Sequence, residues 1–174
     1  MAKSDPRIAP VPAPAGDDLG IVDALVQLSF AVQGTLGRIA TAHDLSITQT
    51  RLLGILRDRQ PTINQLAEFL QLDKSSVTGL VDRAQERGLV ARTASLRDRR
   101  SVQVHITTSG RKLVNRVTAA VEVEMEALVG DLSPTQRTRL SSIASTIAIG
   151  EARSRGVDIG GRALGLPDVP GVPD

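Results

Sequence analysis

The sequence predicts a mainly α-helical protein with a small β-hairpin wing. Apolar residues recur every three or four positions along most of the chain, which is the helical period. The period changes to two only around residues 89–106, where apolar and polar residues alternate as in a strand. Three Ser/Thr-x-x-Gln capping boxes, at residues 46–49, 62–65 and 133–136, mark helix starts. Together these patterns predict one short hairpin within a chain of helices.

The composition limits both the core and the kinds of ligand. The 174 residues suffice for one domain, and Phe30 and Phe69 are the only aromatic residues, so the core must be aliphatic. Proteins that bind single-stranded nucleic acid stack bases on aromatic side chains, which argues against that function. The absence of cysteine excludes disulfides and thiolate chemistry, and two histidines are too few for a typical structural zinc site. We expect no metal and no cofactor.

Nothing in the sequence indicates an enzyme or a membrane protein. There is no glycine-rich phosphate loop, no GxSxG motif and no HExxH motif. No apolar run approaches the roughly 20 residues of a membrane span, and the Pro- and Ala-rich N-terminus lacks the apolar core of a signal peptide. We expect a cytoplasmic protein that is not an enzyme and does not bind membranes.

The first helix is predicted over about residues 18–43. Residues 1–17 contain four prolines and are expected to form a disordered arm. The stripe that follows is longer than one small domain needs, so part of it is expected to contact a partner subunit. Its apolar positions, at helical steps, are Ile21, Leu25, Leu28, Val32, Leu36 and Ile39. His43 lies near the end of this helix, and a role as a pH sensor stays open.

Three further helices precede the hairpin, and the last two predict a helix-turn-helix. The first of them, after Ser46, carries Leu52, Leu53, Ile55 and Leu56. The second, after Thr62, is expected to bury Ile63, Leu66, Ala67 and Leu70. Asp73 caps the third, which should end at Gly88 and bury Val77, Leu80, Val81 and Ala84. Its opposite face is small and polar, as the floor of a major groove requires, and consists of Ser75, Ser76, Thr78, Gly79, Asp82 and Arg83.

An arginine-rich hairpin follows the helix-turn-helix. Strands are predicted around residues 89–92 and 102–106, with a polar tip at residues 93–100. Val102, Val104 and Ile106 should face inward and His105 outward. Between residues 83 and 116, nine lysines and arginines stand against two acidic residues, a net charge of +7, whereas the whole chain carries +2. A cationic helix and hairpin on an otherwise acidic chain indicate a surface for a polyanion.

Two more helices are predicted after the hairpin. Thr107 or Thr108 caps the first, whose buried face is marked by Leu113, Val117, Val121 and either Met125 or Leu128. Gly130 and Asp131 end it. The capping box at Ser133 opens the second, which carries the stripe Leu140, Ile143 and Ile147. Residues 155–174 are rich in glycine and proline and are expected to form a disordered tail.

The order of these elements, and motifs within them, resemble the MarR family of bacterial transcription regulators. The resemblance covers about residues 20–150. It is carried by Ile47-Thr48-Gln49 with Leu52-Leu53, Thr62-Ile63 with Gln65-Leu66-Ala67, Lys74-Ser75-Ser76-Val77-Thr78, Leu80-Val81-Asp82-Arg83, Gly88-Leu89-Val90 with Arg92, Asp98-Arg99-Arg100 and Thr107-Thr108-Ser109-Gly110. Any one of these motifs alone is a weak match, but all of them occur in the family's order.

The resemblance implies a homodimer held by the first, fifth and sixth helices, with each recognition helix in a major groove and each wing in the flanking minor groove. It implies DNA contacts from Ser75, Ser76, Thr78 and Arg83. It also implies that Arg100 enters the minor groove and that Asp98 orients the wing. The expected DNA-binding set is completed by Lys74, Gly79, Arg97 and Arg99.

This sequence departs from the family pattern at several points. Gly79 stands where the family often has a long polar residue, so one usual contact is missing, and Ala84 stands where leucine is common. The absence of cysteine excludes the family's cysteine-based peroxide sensors. The scarcity of aromatic residues disfavours a stacked aromatic effector.

We therefore expect a homodimeric, sequence-specific regulator that binds double-stranded DNA, a repressor relieved by a small ligand. The predicted MarR-like domain spans residues 18–154, with the winged helix-turn-helix at about 46–107 and dimerisation helices at about 18–43 and 108–154. The alternative is a winged-helix module that docks a protein partner or has an architectural role and binds DNA weakly and without sequence preference. The glycine at position 79 permits that alternative.

Overall fold

The computed structural model describes residues 18–94 and 102–156. Within these ranges the chain has six helices and one two-stranded antiparallel sheet. The chain divides into two compact units, Met1–Gly34 and Thr35–Asp174. In chain order the elements are α1 (Gly20–Ala42), α2 (Ile47–Asp58), α3 (Ile63–Leu70), α4 (Lys74–Glu86), β1 (Val90–Ala94), β2 (Val102–Ile106), α5 (Thr108–Leu128) and α6 (Pro134–Ser154).

Side-chain caps fix the starts of the helices, as the sequence predicts. In each capping box the cap hydroxyl accepts a hydrogen bond from the glutamine amide three residues on, and the glutamine Oε1 accepts one from the cap amide. The predicted boxes are all formed: Ser46 with Gln49, Thr62 with Gln65, and Ser133 with Gln136. Asp73 caps α4, and of the two candidates before α5 it is Thr107 that forms the cap.

The core of the Thr35–Asp174 unit is aliphatic. Its largest fully buried side chains come from α2, α3, α4 and both strands: Leu52, Leu53, Leu56, Leu66, Val77, Val81, Val90 and Val104. The face of α4 predicted to be buried is buried throughout, and α5 adds Leu113, Val117 and Val121. Met125, rather than Leu128, continues that face against the core. The helix-turn-helix and the wing strands therefore share one packed interior.

The hairpin pairs Val90 with Ile106 at its base and Ala94 with Val102 at its outer end. The amide of Val104 donates to the carbonyl oxygen of Pro61 at 2.9 Å, which ties β2 to the segment before α3. Val104 and Ile106 face inward as predicted, but Val102 is 42% exposed. His105 is half-buried rather than fully outward. Val102 pairs with the outermost residue of β1, beyond the reach of the core.

Two glycines shape the base of the wing. Gly88 has a φ of 67°, the left-handed conformation expected of a residue that ends α4. Gly110, in the first turn of α5, lies against the backbone of Leu89, so closely that an added Cβ would overlap the Leu89 carbonyl oxygen. The Thr107 hydroxyl bonds the Gly88 carbonyl at 2.7 Å. The start of α5 is thereby fixed to the end of α4.

The apolar stripe of α6 is not buried within this chain. Ile143 is 60% exposed and Ile147 is 52% exposed. Leu140 is half-buried. Arg137, near the start of α6, forms an ion pair with Glu126 of α5. The helical period was predicted correctly, but it does not reveal whether a stripe faces its own chain or another one.

The Gly20–Gly34 part of α1 is exposed at every residue except Val32, which is half-buried. Large apolar side chains stand on several sides of it, among them Ile21, Val22, Leu25, Val26, Leu28 and Phe30. By length and composition α1 is apolar enough to cross a membrane, with a mean hydropathy of 1.2 over its most apolar window. This differs from the expectation that no segment reaches that level. The same composition suits a helix that packs against another protein chain.

Candidate nucleic-acid interface

A tight turn sets the direction in which α4 leaves α3. Gln71 adopts a φ of 59°, in the left-handed region, and ends α3. The amide of Leu72 donates back to the Ala67 carbonyl at 3.1 Å. Asp73 then caps α4, and its carboxylate accepts a hydrogen bond from the Ser76 amide at 2.8 Å. The turn thus has the short, capped geometry that the helix-turn-helix prediction requires.

The exposed face of α4 carries the residues predicted from the sequence. Lys74, Ser75, Ser76, Thr78 and Arg83 are exposed, whereas Gly79 is half-buried. The opposite face of the same helix is anchored in the core, so the polar face is held outward on a rigid element. The structure brings these six predicted residues together on one surface.

The Asp73 carboxylate organises the first turn of that surface. It accepts hydrogen bonds from the hydroxyls of Ser75 and Ser76, the latter at 2.6 Å. These bonds, first from the Ser75 hydroxyl and then from the Ser76 hydroxyl and amide, hold the pKa of Asp73 well below its usual range. The Thr78 hydroxyl donates to the Lys74 carbonyl at 2.8 Å. All three hydroxyl protons are therefore engaged within the helix itself.

Gly79 and Arg83 lie one helical turn apart. A Cβ added at Gly79 would be 3.4 Å from Nη1 of Arg83 and would meet no other atom outside its own helix backbone. The guanidinium therefore lies beside the bare backbone of Gly79. No carboxylate or carbonyl oxygen among the described residues bonds Arg83.

An ion pair that was not predicted from the sequence joins the wing to α4. Nη1 of Arg92, on β1, lies 2.6 Å from Oδ1 of Asp82 and 3.3 Å from the side-chain oxygen of Gln85. Asp82 was expected on the exposed face, but it is half-buried and engaged by this pair. The signal that could have found it is strand alternation, since Arg92 shares the face of buried Val90. The bond fixes β1 against the recognition helix.

Several of the cations counted in the +7 segment have structural roles instead. Arg87 donates to the Asp44 carbonyl at 2.6 Å, which ties the end of α4 to the loop after α1. Arg111 donates to the Arg57 carbonyl at 3.0 Å and so caps the end of α2. With Arg92 paired to Asp82, these three arginines hold the fold together. The interpretation of the whole segment of residues 83–116 as a polyanion surface is too broad, because these three arginines make hydrogen bonds that stabilise the fold.

The wing tip lies outside the described residues. The predicted contacts Arg97, Asp98, Arg99 and Arg100 all fall in the segment 95–101. The strands that carry this segment are described up to Ala94 and from Val102.

A cavity of about 420 Å³ lies between the end of α1 and the middle of α5. Its walls are largely apolar, and Glu124 and His43 provide the ionisable side chains. Nη2 of Arg38 lies 3.9 Å from the carboxylate of Glu124. The remaining lining residues are Ile39, Ala42, Ala119, Ala120 and Val123. A small molecule with an apolar body fits such a site.

Comparison with known proteins agrees with this geometry. The MarR family model matches residues 43–101, which include the helix-turn-helix and β1. The HTH-type transcriptional regulator PecS of Dickeya dadantii (strain 3937) is 24% identical over 131 residues, covering 73% of this chain and 79% of PecS. The homoprotocatechuate degradative operon repressor of Escherichia coli is 26% identical over 137 residues, covering 77% of this chain and 92% of the repressor.

The fold is shared with a solved protein–DNA complex. The structure of MepR of S. aureus bound to DNA superposes with a TM-score of 0.64 at 22% identity, covering 76% of this chain and 99% of that one. α4 and its wing strands have the geometry of a winged helix, and sequence and fold are both similar to those of these regulators, which supports a DNA-binding transcription regulator of the MarR type.

Proposed function

We propose that this protein is a homodimeric repressor that binds a specific duplex sequence and releases it when a small ligand binds. The observation that carries the proposal is the exposed polar face of α4, anchored from behind and joined to β1 by the Asp82–Arg92 bond. A rigid helix with a small first turn can approach the edges of bases in a major groove. Because a regulator of this kind must reach the DNA, a cytoplasmic location is part of the proposal.

In this proposal α4 contacts the major groove through Lys74, Ser75, Ser76, Thr78, Gly79 and Arg83. The wing residues Arg97, Asp98, Arg99 and Arg100 contact the flanking minor groove, whose narrow A·T tracts attract arginine. The net charge of the wing and α4 region supports this assignment. The alternative protein-docking or architectural role is less well supported, because the exposed polar face of α4 suits the groove of a duplex.

Homodimerisation accounts for two apolar surfaces that a monomer would leave in water. One is the Gly20–Gly34 part of α1, and the other is the stripe of α6 that includes Ile143 and Ile147. Exposed apolar patches of this kind mark contacts with other protein chains. A second copy of the chain is the proposed occupant. Sedimentation equilibrium should give twice the monomer mass, and the Ile147→Asp variant should weaken the dimer.

The ligand is proposed to bind the cavity between α1 and α5. Its apolar walls would hold the body of a small molecule, while His43 and Glu124 offer polar contacts. The Ala119→Phe variant fills part of this space from an exposed position of α5. We expect it to bind DNA normally and to lose its response to any compound that releases the wild-type protein from DNA.

A mobility-shift assay on the DNA around the protein's own gene, at about 150 mM salt, tests the proposal. Specific regulators bind their sites about 10³- to 10⁷-fold more tightly than other DNA. We expect a shift that an excess of unrelated duplex does not remove. Binding that is abolished by unrelated DNA and by modest salt would contradict a specific regulator and would favour the architectural role.

The same assay tests the wing. The Arg100→Ala variant should bind more weakly and show a shallower dependence of affinity on salt, because each lost phosphate contact lowers the slope by about one. Arg116→Ala removes an equal charge from the exposed face of α5 and serves as the control. If wild type and Arg100→Ala have the same affinity and the same salt dependence, Arg100 does not contact DNA and the wing assignment is wrong.

A further inference from the structure

We propose that Arg83 is the side chain of α4 that recognises a guanine in each half-site, and that the missing side chain at Gly79 makes this possible. The inference rests on the proposed function, since it assigns one residue its role within the proposed interface. It also explains how a recognition helix with glycine at a groove-facing position can retain sequence specificity.

The geometry of helical side chains brings Arg83 over Gly79. Side chains on a helix lean toward its N-terminus, so a long side chain covers the turn that precedes it. Arg83 lies four residues after Gly79, and its Nη1 is 3.4 Å from the position that a Cβ of residue 79 would occupy. The guanidinium thus lies in contact with the place where a side chain at position 79 would start. Glycine allows the arginine to lie along the face that enters the groove.

Arg83 also remains available, unlike the two arginines nearest to it in sequence. Asp82, the adjacent carboxylate, is bonded to Arg92 at 2.6 Å. Arg87 is bonded to the carbonyl of Asp44. Arg83 has no carboxylate or carbonyl partner in the described part of the chain, and it is exposed. Its five N–H donors can therefore bind DNA without first breaking a bond within the protein.

The other polar side chains on the exposed face of α4 leave the recognition of guanine to Arg83. The hydroxyl protons of Ser75, Ser76 and Thr78 are donated within the helix, so these groups present mainly lone pairs to DNA. Guanine offers two acceptors, O6 and N7, and requires paired donors in one plane. Lys74 is a point charge, whereas the guanidinium of Arg83 supplies a planar fork. Guanine recognition on this helix therefore falls to Arg83.

Binding-site selection from a randomised duplex library tests the assignment. We expect the wild-type protein to select a guanine at one fixed position of each half-site. Arg83→Ala should lose that preference, by about 5- to 150-fold per half-site, and keep the preferences at other positions. Arg83→Lys retains the charge but not the fork, so it should lose the same preference. Arg116→Ala, the charge-matched control on α5, should select the wild-type sequence.

The competing role for Arg83 is a phosphate contact, and it predicts a different pattern. Arg83→Ala would then bind every sequence more weakly, with a smaller salt slope and unchanged base preferences. Arg83→Lys would keep most of the affinity. Either of these results overturns the proposal.

The role of Gly79 is tested with Gly79→Leu, which fills the space beside the guanidinium without adding a hydrogen-bond donor. A Cβ at position 79 would meet only Nη1 of Arg83, the end of a flexible side chain, so the variant should fold, as circular dichroism can verify. It should lose the same guanine preference as Arg83→Ala, and the double variant should lose no more than either single one. If the two substitutions lower the guanine preference additively, or if Gly79→Leu keeps that preference, then the missing side chain at Gly79 is not what allows Arg83 to reach the guanine.

These outcomes can be separated from failure of the proposed function. If the wild-type protein selects no sequence at all, the regulator proposal fails and the guanine assignment fails with it. If the wild-type protein selects a defined sequence and Arg83→Ala selects the same one, only the assignment of Arg83 fails.

Discussion

Gly110 packs directly against the backbone of Leu89 at the base of the wing. A methyl group at position 110 would overlap the Leu89 carbonyl oxygen and would also lie 2.8 Å from Cγ1 of Ile106. The Leu89 carbonyl oxygen already accepts the amide of Thr107, so it cannot move freely. No local sequence pattern reveals this contact, because it depends on where α5 crosses the end of α4.

We predict that Gly110→Ala destabilises the fold by about 1–3 kcal/mol, the usual cost of overpacking. Urea denaturation of the two proteins measures the free energy of unfolding. Gly79→Ala is the matched control, since a methyl group there would meet only the end of the flexible Arg83 side chain, at 3.4 Å, and alanine favours a helix interior by about 1 kcal/mol over glycine. The account is wrong at this site if Gly110→Ala is as stable as the wild type.

Asp73 gives the start of α4 a dependence on pH. The Ser75 and Ser76 hydroxyls and the Ser76 amide lower the pKa of its carboxyl in the folded protein. A carboxyl whose pKa is lower when folded stabilises the fold above its unfolded pKa of about 3.9, and this contribution is lost as pH falls. The cap should therefore weaken only in acid.

The prediction concerns the difference between wild type and Asp73→Asn, because other carboxyls titrate in the same range. Asparagine is an equally good cap but carries no charge. As pH falls from about 5 toward 2, we expect the wild type to lose stability relative to Asp73→Asn in urea denaturation. A constant difference across that range would show that the hydroxyl bonds do not favour the ionised carboxyl.

At the scale of elements, the Asp82–Arg92 bond joins the recognition helix to the wing. The two side chains are 49% and 26% exposed, so the bond contributes only about 1 kcal/mol or less to global stability. We expect the bond to act mainly by orienting the wing relative to α4, because β1 leads to the wing tip and Arg92 anchors β1 to the middle of α4. A wing that is free to tilt would contact the minor groove less often.

We predict that Asp82→Ala and Arg92→Ala each weaken DNA binding several-fold, and that the double variant binds no more weakly than either single variant. Fluorescence anisotropy on an operator duplex measures the three affinities, and the cycle isolates the coupling between the two residues. If Arg92 instead contacted DNA directly, Arg92→Ala would weaken binding while Asp82→Ala would not.

Local chemistry made most elements predictable from the sequence. The capping boxes at Ser46, Thr62 and Ser133 each involve residues three apart, so their pattern determines where a helix starts whatever surrounds it. The exposed face of α4 followed from its helical period. The Asp82–Arg92 pair joins two elements across a turn, and the exposure of Val102 depends on where the core ends, so both required the tertiary structure.

At the scale of the whole molecule, the stripes of α1 and α6 show the limit of periodicity. Their apolar positions were predicted, but Ile143 and Ile147 remain exposed in the single chain. The spacing of apolar residues in the sequence is the same whether the stripe packs on its own domain or on another chain. A homodimer would cover both surfaces and would fix the separation of two α4 helices, which determines how far apart the two half-sites lie.

The most direct test of the account is the spacing of those half-sites. A two-fold dimer of winged helices requires half-sites about one helical turn apart, on the order of 34–36 Å or 10–10.5 base pairs. The measurement is the affinity of the wild-type protein for its selected duplex and for the same duplex with five base pairs inserted between the half-sites. The insertion turns one half-site to the opposite side of the DNA, so binding should fall to the level of a single half-site. Equal affinity for the two duplexes would contradict a dimer that holds two recognition helices at a fixed separation.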